Sequence, residues 1–387
     1  MKKNKRKICI VTGTRAEYGI LKSTIKAVSN AEDLELQIVA TGAHLSEEFG
    51  STIKEIEKDG FKINDVVLMT AKEDSAEAMA KSVGVGIIGM VKVFKKNKPD
   101  VVLIVGDRVE ALAAAIAASC MKIVLAHIHG GDSAFAGFDE YARHAITKLS
   151  NIHFPVTKKS AERIIKMGEE SERVFIVGAP SLDNILKEDF TYPSEIVKKY
   201  NLNLSNPIIL AVQHPVTLDS ENSAKHIKET LEALKDLGEQ VILVYPNADA
   251  GGRAIIKIIK KYVKIPFIKI YKNIPYEDYL GLMKISSALV GNSSSGIIEA
   301  SSFHLPVVNI GLRQQGRERA DNVIDVDYKK DEIKKALKIA IYDKNFKEKI
   351  KQVKNPYYLD GKAGKKIVEV LRTIGINQKL FQKRLTY

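Results

Sequence analysis

Ala288-Leu-Val-Gly-Asn-Ser-Ser-Ser-Gly-Ile-Ile-Glu299 is the stretch from which the rest of the chain can be read. Its first four residues are apolar and read as a buried strand. Asn292 to Gly296 then turn, and a helix is expected to follow, ending near Leu305-Pro306. A strand feeding a helix in this way is half of a parallel-sheet unit. The open N–H groups of the helix start, the hydroxyls of Ser293, Ser294 and Ser295, and the bare Gly296 together make an anion cradle. Glu299, one turn further, is placed to accept from sugar hydroxyls, so the stretch suits a diphosphate with its ribose. The plain alternative is an ordinary serine N-cap.

Outward from this stretch, apolar runs alternate with helical periods in both directions. The runs Ile8–Thr12, Leu36–Thr41, Val66–Met69, Val101–Val105, Ile123–His127, Ile152–Val156 and Val174–Val177 are expected strands. Tyr18–Ser29, Asp74–Lys95, Glu110–Ser119, Asp139–Leu149 and Ser160–Met167 are expected helices. A second series has strands at Ile208–Val212, Val241–Tyr245, Phe267–Ile270, Ala288–Val290 and Val307–Ile310. Its helices are Asn222–Leu237, Ala254–Val263 and Tyr276–Lys284. Strands rich in Val, Ile and Leu between helices predict parallel sheets covered on both faces. A chain of 387 residues exceeds one ordinary core. The reading is therefore α/β, with two doubly wound domains joined near residues 185–205. The expected boundaries are 1–187, 188–355, and a C-terminal segment 356–387 that packs back on the first domain.

Composition narrows the function. Hydrophobic residues make up 45% and charged residues 28%, ordinary for a globular protein. No apolar run reaches the ~18 residues that a membrane span needs. Met1-Lys-Lys-Asn-Lys-Arg-Lys7 could mimic the start of a signal peptide, but Ile8-Cys-Ile-Val11 is too short an apolar core, so a cytoplasmic protein is expected. The net charge of +13 comes from 60 basic and 47 acidic residues. The lysines are mixed with acids rather than with aromatics, so a solvated face is expected, with no nucleic-acid partner. Cys9 and Cys120 lie in apolar runs and read as buried thiols.

Polar clusters gather where strands end, which is where open parallel sheets bind ligands. Gly13-Thr-Arg15 puts a guanidinium at a helix start. Gly106-Asp-Arg-Val-Glu110 offers Asp107 as an acid or base, or else as a helix cap. His127-Ile-His129-Gly-Gly-Asp132 ends the fifth strand, and strand alternation puts both histidines on one face. No metal is expected there, since paired histidines with one aspartate are weak ligand evidence. Asp139-Glu140 opens a helix carrying Arg143 and His144. In the second half, Gln213-His214 and Gly311-Leu-Arg313 through Arg317 follow strands. The motif Gly84-x-Gly86-x-x-Gly89 falls inside a helical period, so it is not a dinucleotide loop and no cofactor is expected.

In order along the chain, these motifs resemble the UDP-N-acetylglucosamine 2-epimerases, and most closely their hydrolysing branch of sialic- and legionaminic-acid biosynthesis. The matching stretches are Thr12-Gly-Thr-Arg-Ala-Glu-Tyr-Gly19, Gly106-Asp-Arg-Val-Glu-Ala-Leu112, Asp139-Glu-Tyr-Ala-Arg-His-Ala-Ile-Thr-Lys148, His214-Pro-Val-Thr217, Asn292-Ser-Ser-Ser-Gly296 and Arg313-Gln-Gln-Gly-Arg-Glu318. The resemblance implies two Rossmann-like domains in a GT-B-like arrangement with a cleft between them. It implies elimination of UDP from C1 to a 2-acetamidoglucal, then addition of water to give free N-acetylmannosamine. Asp107, Asp139 and Glu140 would be the acid/base carboxylates, and His214 would assist the departing phosphate. Arg15, Ser294, Ser295 and Gly296 would hold the diphosphate, with Glu299 on the ribose and Arg313 in the same pocket. His129 stands where the family often has glutamate; histidine can still move a proton, and it also fits a sister substrate, UDP-2,4-diacetamido-2,4,6-trideoxyglucose. The expected partner is a UDP-sugar, with no membrane, and the expected assembly is a homodimer or homotetramer. Alternatives are a non-hydrolysing epimerase, a GT-B glycosyltransferase and a non-catalytic nucleotide-sugar binder.

Overall fold

The computed structural model describes residues 5–69, 73, 75–135 and 137–387. The expected helix start at Asp74 and the leader-like residues Met1–Asn4 lie outside these. In the first half, β1 (Arg6–Thr12), β2 (Leu34–Thr41), β3 (Asp65–Val67), β4 (Val101–Val105), β5 (Val124–Ile128) and β6 (Ile152–Phe154) form one parallel sheet in the order β3-β2-β1-β4-β5-β6. In the second half, β7 (Ile208–Val212), β8 (Gln240–Val244), β9 (Ile268–Tyr271), β10 (Ala288–Gly291), β11 (Val307–Ile310) and β12 (Val323–Val326) form another, ordered β12-β11-β10-β7-β8-β9. This is the pair of doubly wound sheets that the run pattern predicts.

Strand alternation sorts each strand's residues into two cores. Ile8 and Ile10 of β1 join Val101, Leu103 and Val105 of β4 on one face. Cys9 and Val11 join Val102 and Ile104 on the other. All are buried, which is why these strands read as unbroken apolar runs. The first of these cores does not stop at the domain boundary. It runs through Tyr276, Tyr279 and Leu280 into Ile208, Leu210 and Leu289 of the second sheet.

Helix starts follow local chemistry. Thr14 caps the helix Arg15–Ser29, its hydroxyl accepting from the Glu17 N–H at 3.2 Å. The Glu17 carboxylate accepts in return from the Gly13 N–H at 2.7 Å, a close relative of the capping box. In the helix Ala76–Asn97 the glycines serve packing: a Cβ on Gly89 would come within 2.4 Å of Val67.

Four expectations need correction. Val174–Val177 is not a strand; it runs beside β6 with one isolated bridge, His153 to Val174. The strand β12 was not expected, because it is a short, half-exposed edge with Asp325 facing out. The helix after the serines is one turn, Ser295–Ile298, followed by a 3₁₀ turn, Ala300–Phe303, and a left-handed His304 at φ 52°. Cys120 is exposed at a helix end, whereas Cys9 is buried and its thiol is pushed up to about 12 by burial and by Asp65.

After the second sheet the chain returns to the first domain. The helix Ala363–Thr373 lies against Arg15–Ser29 so closely that a Cβ on Gly364 would come within 2.9 Å of the Ser23 backbone. Its start is capped by a buried aspartate from the first domain. Asp183 accepts from the N–H groups of Ala363 and Gly364, both at 2.9 Å.

Candidate functional site

In each sheet the strand order reverses once, between β1 and β4 and between β7 and β10. Side chains that follow strands at such reversals face the crevice beyond the carboxyl ends. Here the two crevices face each other and enclose a cavity of about 200 Å³. From the first domain it is lined by Arg15, Asp107, His129 and Asp139, and from the second by His214, Ser294 and Arg313.

Asp107 follows β4 and is not a helix cap; the cap residue of Val109–Cys120 is Arg108. Its carboxylate accepts from Arg143 Nε at 2.8 Å, with a second bond from Arg143 Nη2. Burial alone would raise its pKa, but the charges of Arg143, Arg317 and Arg313 hold it below the usual carboxylate value. Asp139 behaves oppositely. Burial and the negative charge of Asp107 push it up to about 6, although Arg313 lies 3.3 Å away and opposes the shift. Two neighbouring carboxyls thus have pKa values driven apart, the pattern that separates acid from base.

Glu140 is not in the cavity. Oε1 accepts from Ser133 and pairs with His144, and Oε2 accepts from the Ala134 N–H and from Arg143. Against the cost of burial, these contacts lower its pKa to about 2. It braces the loop that carries Asp132 to Ala134, so the Asp139–Glu140 pair splits into a cavity carboxyl and a structural one.

The histidines also part company. β5 ends at Ile128, and His129 turns into the left-handed region at φ 65°. His127 is therefore buried against the Gly106 carbonyl at 2.6 Å, while His129 lines the cavity, so the shared face predicted from alternation does not exist. Among the described residues no group of three or more His, Cys, Asp or Glu side chains could hold a metal ion. His214 accepts from the Asn247 N–H through Nδ1 at 3.1 Å. Burial, with Arg313, Arg108 and Arg15, keeps its pKa well below the usual value. A neutral ring whose Nδ1 accepts must carry its proton on Nε2.

The serine loop meets Arg15 across the domains. Arg15 lies over the Tyr279 ring, 4.9 Å from its centroid; the Tyr279 hydroxyl pairs with Ser295 Oγ at 2.7 Å, and Ser295 with Ser293 at 2.9 Å. Arg313 reaches the same loop, donating to the Asn292 carbonyl at 3.2 Å, because β10 and β11 are neighbours. Ser294 lines the cavity. Ser295 is held beneath by Tyr279, Gly296 seats the turn on Val307 and Leu289, and Glu299 is buried, so these three expected ligands do not line it.

Three participants were not read as site residues. Arg143 is 1% exposed in its side chain yet links Asp107, Glu140 and the Asp132 carbonyl. Arg108 crosses the domains to Asp249 at 3.1 Å. Glu17 lines the cavity and is pushed up to about 8 by burial and by Glu110. Its only sequence signal was the Thr14-x-x-Glu17 cap.

The comparisons agree with this architecture. The family described as UDP-N-acetylglucosamine 2-epimerase matches residues 26–372, and the chain belongs to that family. It is 39% identical over 382 residues to a UDP-N,N'-diacetylbacillosamine 2-epimerase (hydrolyzing) of Legionella pneumophila, covering 99% of this chain and 100% of that one. It is 39% identical over 325 residues to a GDP/UDP-N,N'-diacetylbacillosamine 2-epimerase (hydrolyzing) of Campylobacter jejuni, covering 83% of this chain and 84% of the relative. The fold matches that of the UDP-GlcNAc 2-epimerase of Neisseria meningitidis bound to UDP-GlcNAc, with TM-score 0.80, 21% identity, and coverage of 95% of this chain and 100% of that one. The two facing Rossmann-like domains are thus arranged in the GT-B-like manner.

Proposed function

We propose that this chain is a hydrolysing 2-epimerase of a UDP-2-acetamido sugar. The observation that carries the reading is the cavity itself: Asp107, Asp139 and His129 on one wall, with His214, Ser294 and Arg313 opposite. Arg15, Arg313 and Ser294 bind the diphosphate, and His214 donates Nε2–H to it as negative charge builds on the leaving group. Asp139, with its pKa near 6, takes a proton from the sugar's C2 while UDP leaves C1, giving the 2-acetamidoglucal. As water adds at C1, His129 takes the proton that water gives up and passes it through Asp107 to C2 on the face opposite Asp139, while the proton that Asp139 took leaves with the products. The products are UDP and the free 2-epimeric sugar. No step calls on a cofactor or metal, and the protein acts in the cytoplasm, where nucleotide sugars are made, as a homodimer or homotetramer.

The sugar is N-acetylglucosamine or its 2,4-diacetamido-6-deoxy relative. Two relatives at 39% identity carry the second name, and His129 in place of the common glutamate fits that choice. The test is incubation with each UDP-sugar, with UDP release assayed and the products followed by proton NMR. Free sugar plus UDP is expected, with the higher kcat/KM for the diacetamido substrate. A UDP-linked epimer as the sole product would make the enzyme a non-hydrolysing isomerase. Turnover only in the presence of an acceptor would make it a transferase.

A further inference from the structure

Two features of His129 are unusual together. It is a non-glycine residue in the left-handed region, at φ 65°, with a buried side chain. Its Nε2 is buried with no hydrogen-bond partner among the described residues, although the residue lines the cavity. Buried polar atoms are nearly always paired, so an exception at a site calls for a reason. The other ring nitrogen is firmly held: Nδ1 lies 3.1 Å from Asp132 Oδ2.

Asp132 is buried and surrounded by donors. Ser160 Oγ donates to Oδ1 at 2.8 Å, and Arg317 Nη1, from the second domain, donates to Oδ2 at 2.8 Å. Its own carbonyl accepts from Arg143 at 3.1 Å, the arginine that also holds Asp107. Gly131, at φ 75°, allows this packing; a Cβ there would come within 2.2 Å of the Ser160 carbonyl.

We infer that Asp132 is a positioning residue for His129: it binds the proton on Nδ1, so the lone pair of Nε2 is turned to the cavity, and Arg317 fixes the carboxylate from across the domains. A carboxylate only accepts, so the bond it shares with Nδ1 places the proton there. An imidazole protonated on Nδ1 alone then presents a proton acceptor to the cavity, the role left open where the family often has glutamate. Because Arg317 comes from the opposite domain, the acceptor is fully oriented only while the domains are together. The catalytic consequence rests on the function proposed above; the orientation of the ring does not.

The experiment is nitrogen-15 NMR of histidine-labelled protein at pH 8, with His129 assigned by comparison with His129→Gln. The expected signature in the wild type is protonated Nδ1 and unprotonated Nε2. In Asp132→Asn this single tautomer gives way to a mixture. kcat for UDP release falls about 100-fold, within the range for a lost general-base contribution, while KM changes less than about threefold. A wild-type His129 carrying its proton on Nε2 overturns the inference without any variant. An unchanged tautomer in Asp132→Asn, or kcat and KM shifting together, also overturns it. If the wild type releases UDP from neither sugar, the proposed function fails, and the tautomer measurement still decides the role of Asp132.

Discussion

At the scale of residues, the site works by contrast between similar groups. Asp107 and Asp139 are both strand-end or helix-start acids, yet guanidinium charge lowers one and burial beside a negative neighbour raises the other. The pH dependence follows. The base role proposed for Asp139 requires the ionised carboxylate, and its pKa is raised to about 6. kcat/KM should therefore be full above that value and fall as pH drops through it, approaching a tenfold loss per unit. In Asp139→Asn the activity should drop at least about 1,000-fold, and what remains should lose that acidic limb. A rate profile that is flat from about pH 5 to 8 in the wild type would count against Asp139 as the base. Much of this site was legible from residue types at strand ends. Asp107, Asp139, His129, His214, Arg15, Ser294 and Arg313 all reach one cavity. Glu140 lies off the cavity because its carboxylate is taken up by Ser133, Ala134, Arg143 and His144, which no residue type at a helix start reveals. The left-handed turn at His129 was hidden for a related reason, since alternation holds only while the strand continues.

At the scale of elements, strand interiors were readable because burial on both faces leaves only apolar residues there. β12 and the 174–177 segment were not, since an edge is defined by what it pairs with rather than by its own composition. The C-terminal helix Ala363–Thr373 illustrates the same limit: its cap, Asp183, lies far away in sequence and no local signal announces it. A buried carboxylate taking two helix N–H groups should be costly to remove. Asp183→Ala is expected to destabilise the protein by about 2–4 kcal/mol, since both donors are left unpaired. Urea melts would show it as a lower midpoint, with UDP-sugar KM little changed because Asp183 does not line the cavity.

At the scale of the whole molecule, the two sheets are separate in topology but not in packing. One apolar core passes from Ile8 and Leu103 through Tyr276 and Leu280 to Leu210 and Leu289. On the cleft side polar contacts, Arg108 with Asp249, Arg253 with Glu48 and Phe138 N–H with Thr217, stand beside a small apolar cluster of Ala43 and Phe49 with Ile256. Calorimetry of the unliganded protein should therefore show one cooperative transition rather than two, and two resolved peaks would mean that the shared core is too weak to couple the domains. The cavity between the lobes, about 200 Å³, is smaller than the ~300 Å³ at which small-molecule sites usually begin.

The returning C-terminal helix also sets an order for biosynthesis. As the polypeptide leaves the ribosome, the first sheet is made early, yet the outer flank of Arg15–Ser29 stays bare until Leu371 has emerged. For the whole time the second lobe is being translated, an oily patch on a nascent, nearly assembled lobe stays uncovered. Synthesis stalled before the helix Ala363–Thr373 would therefore yield a sticky, aggregation-prone fragment rather than a spare domain.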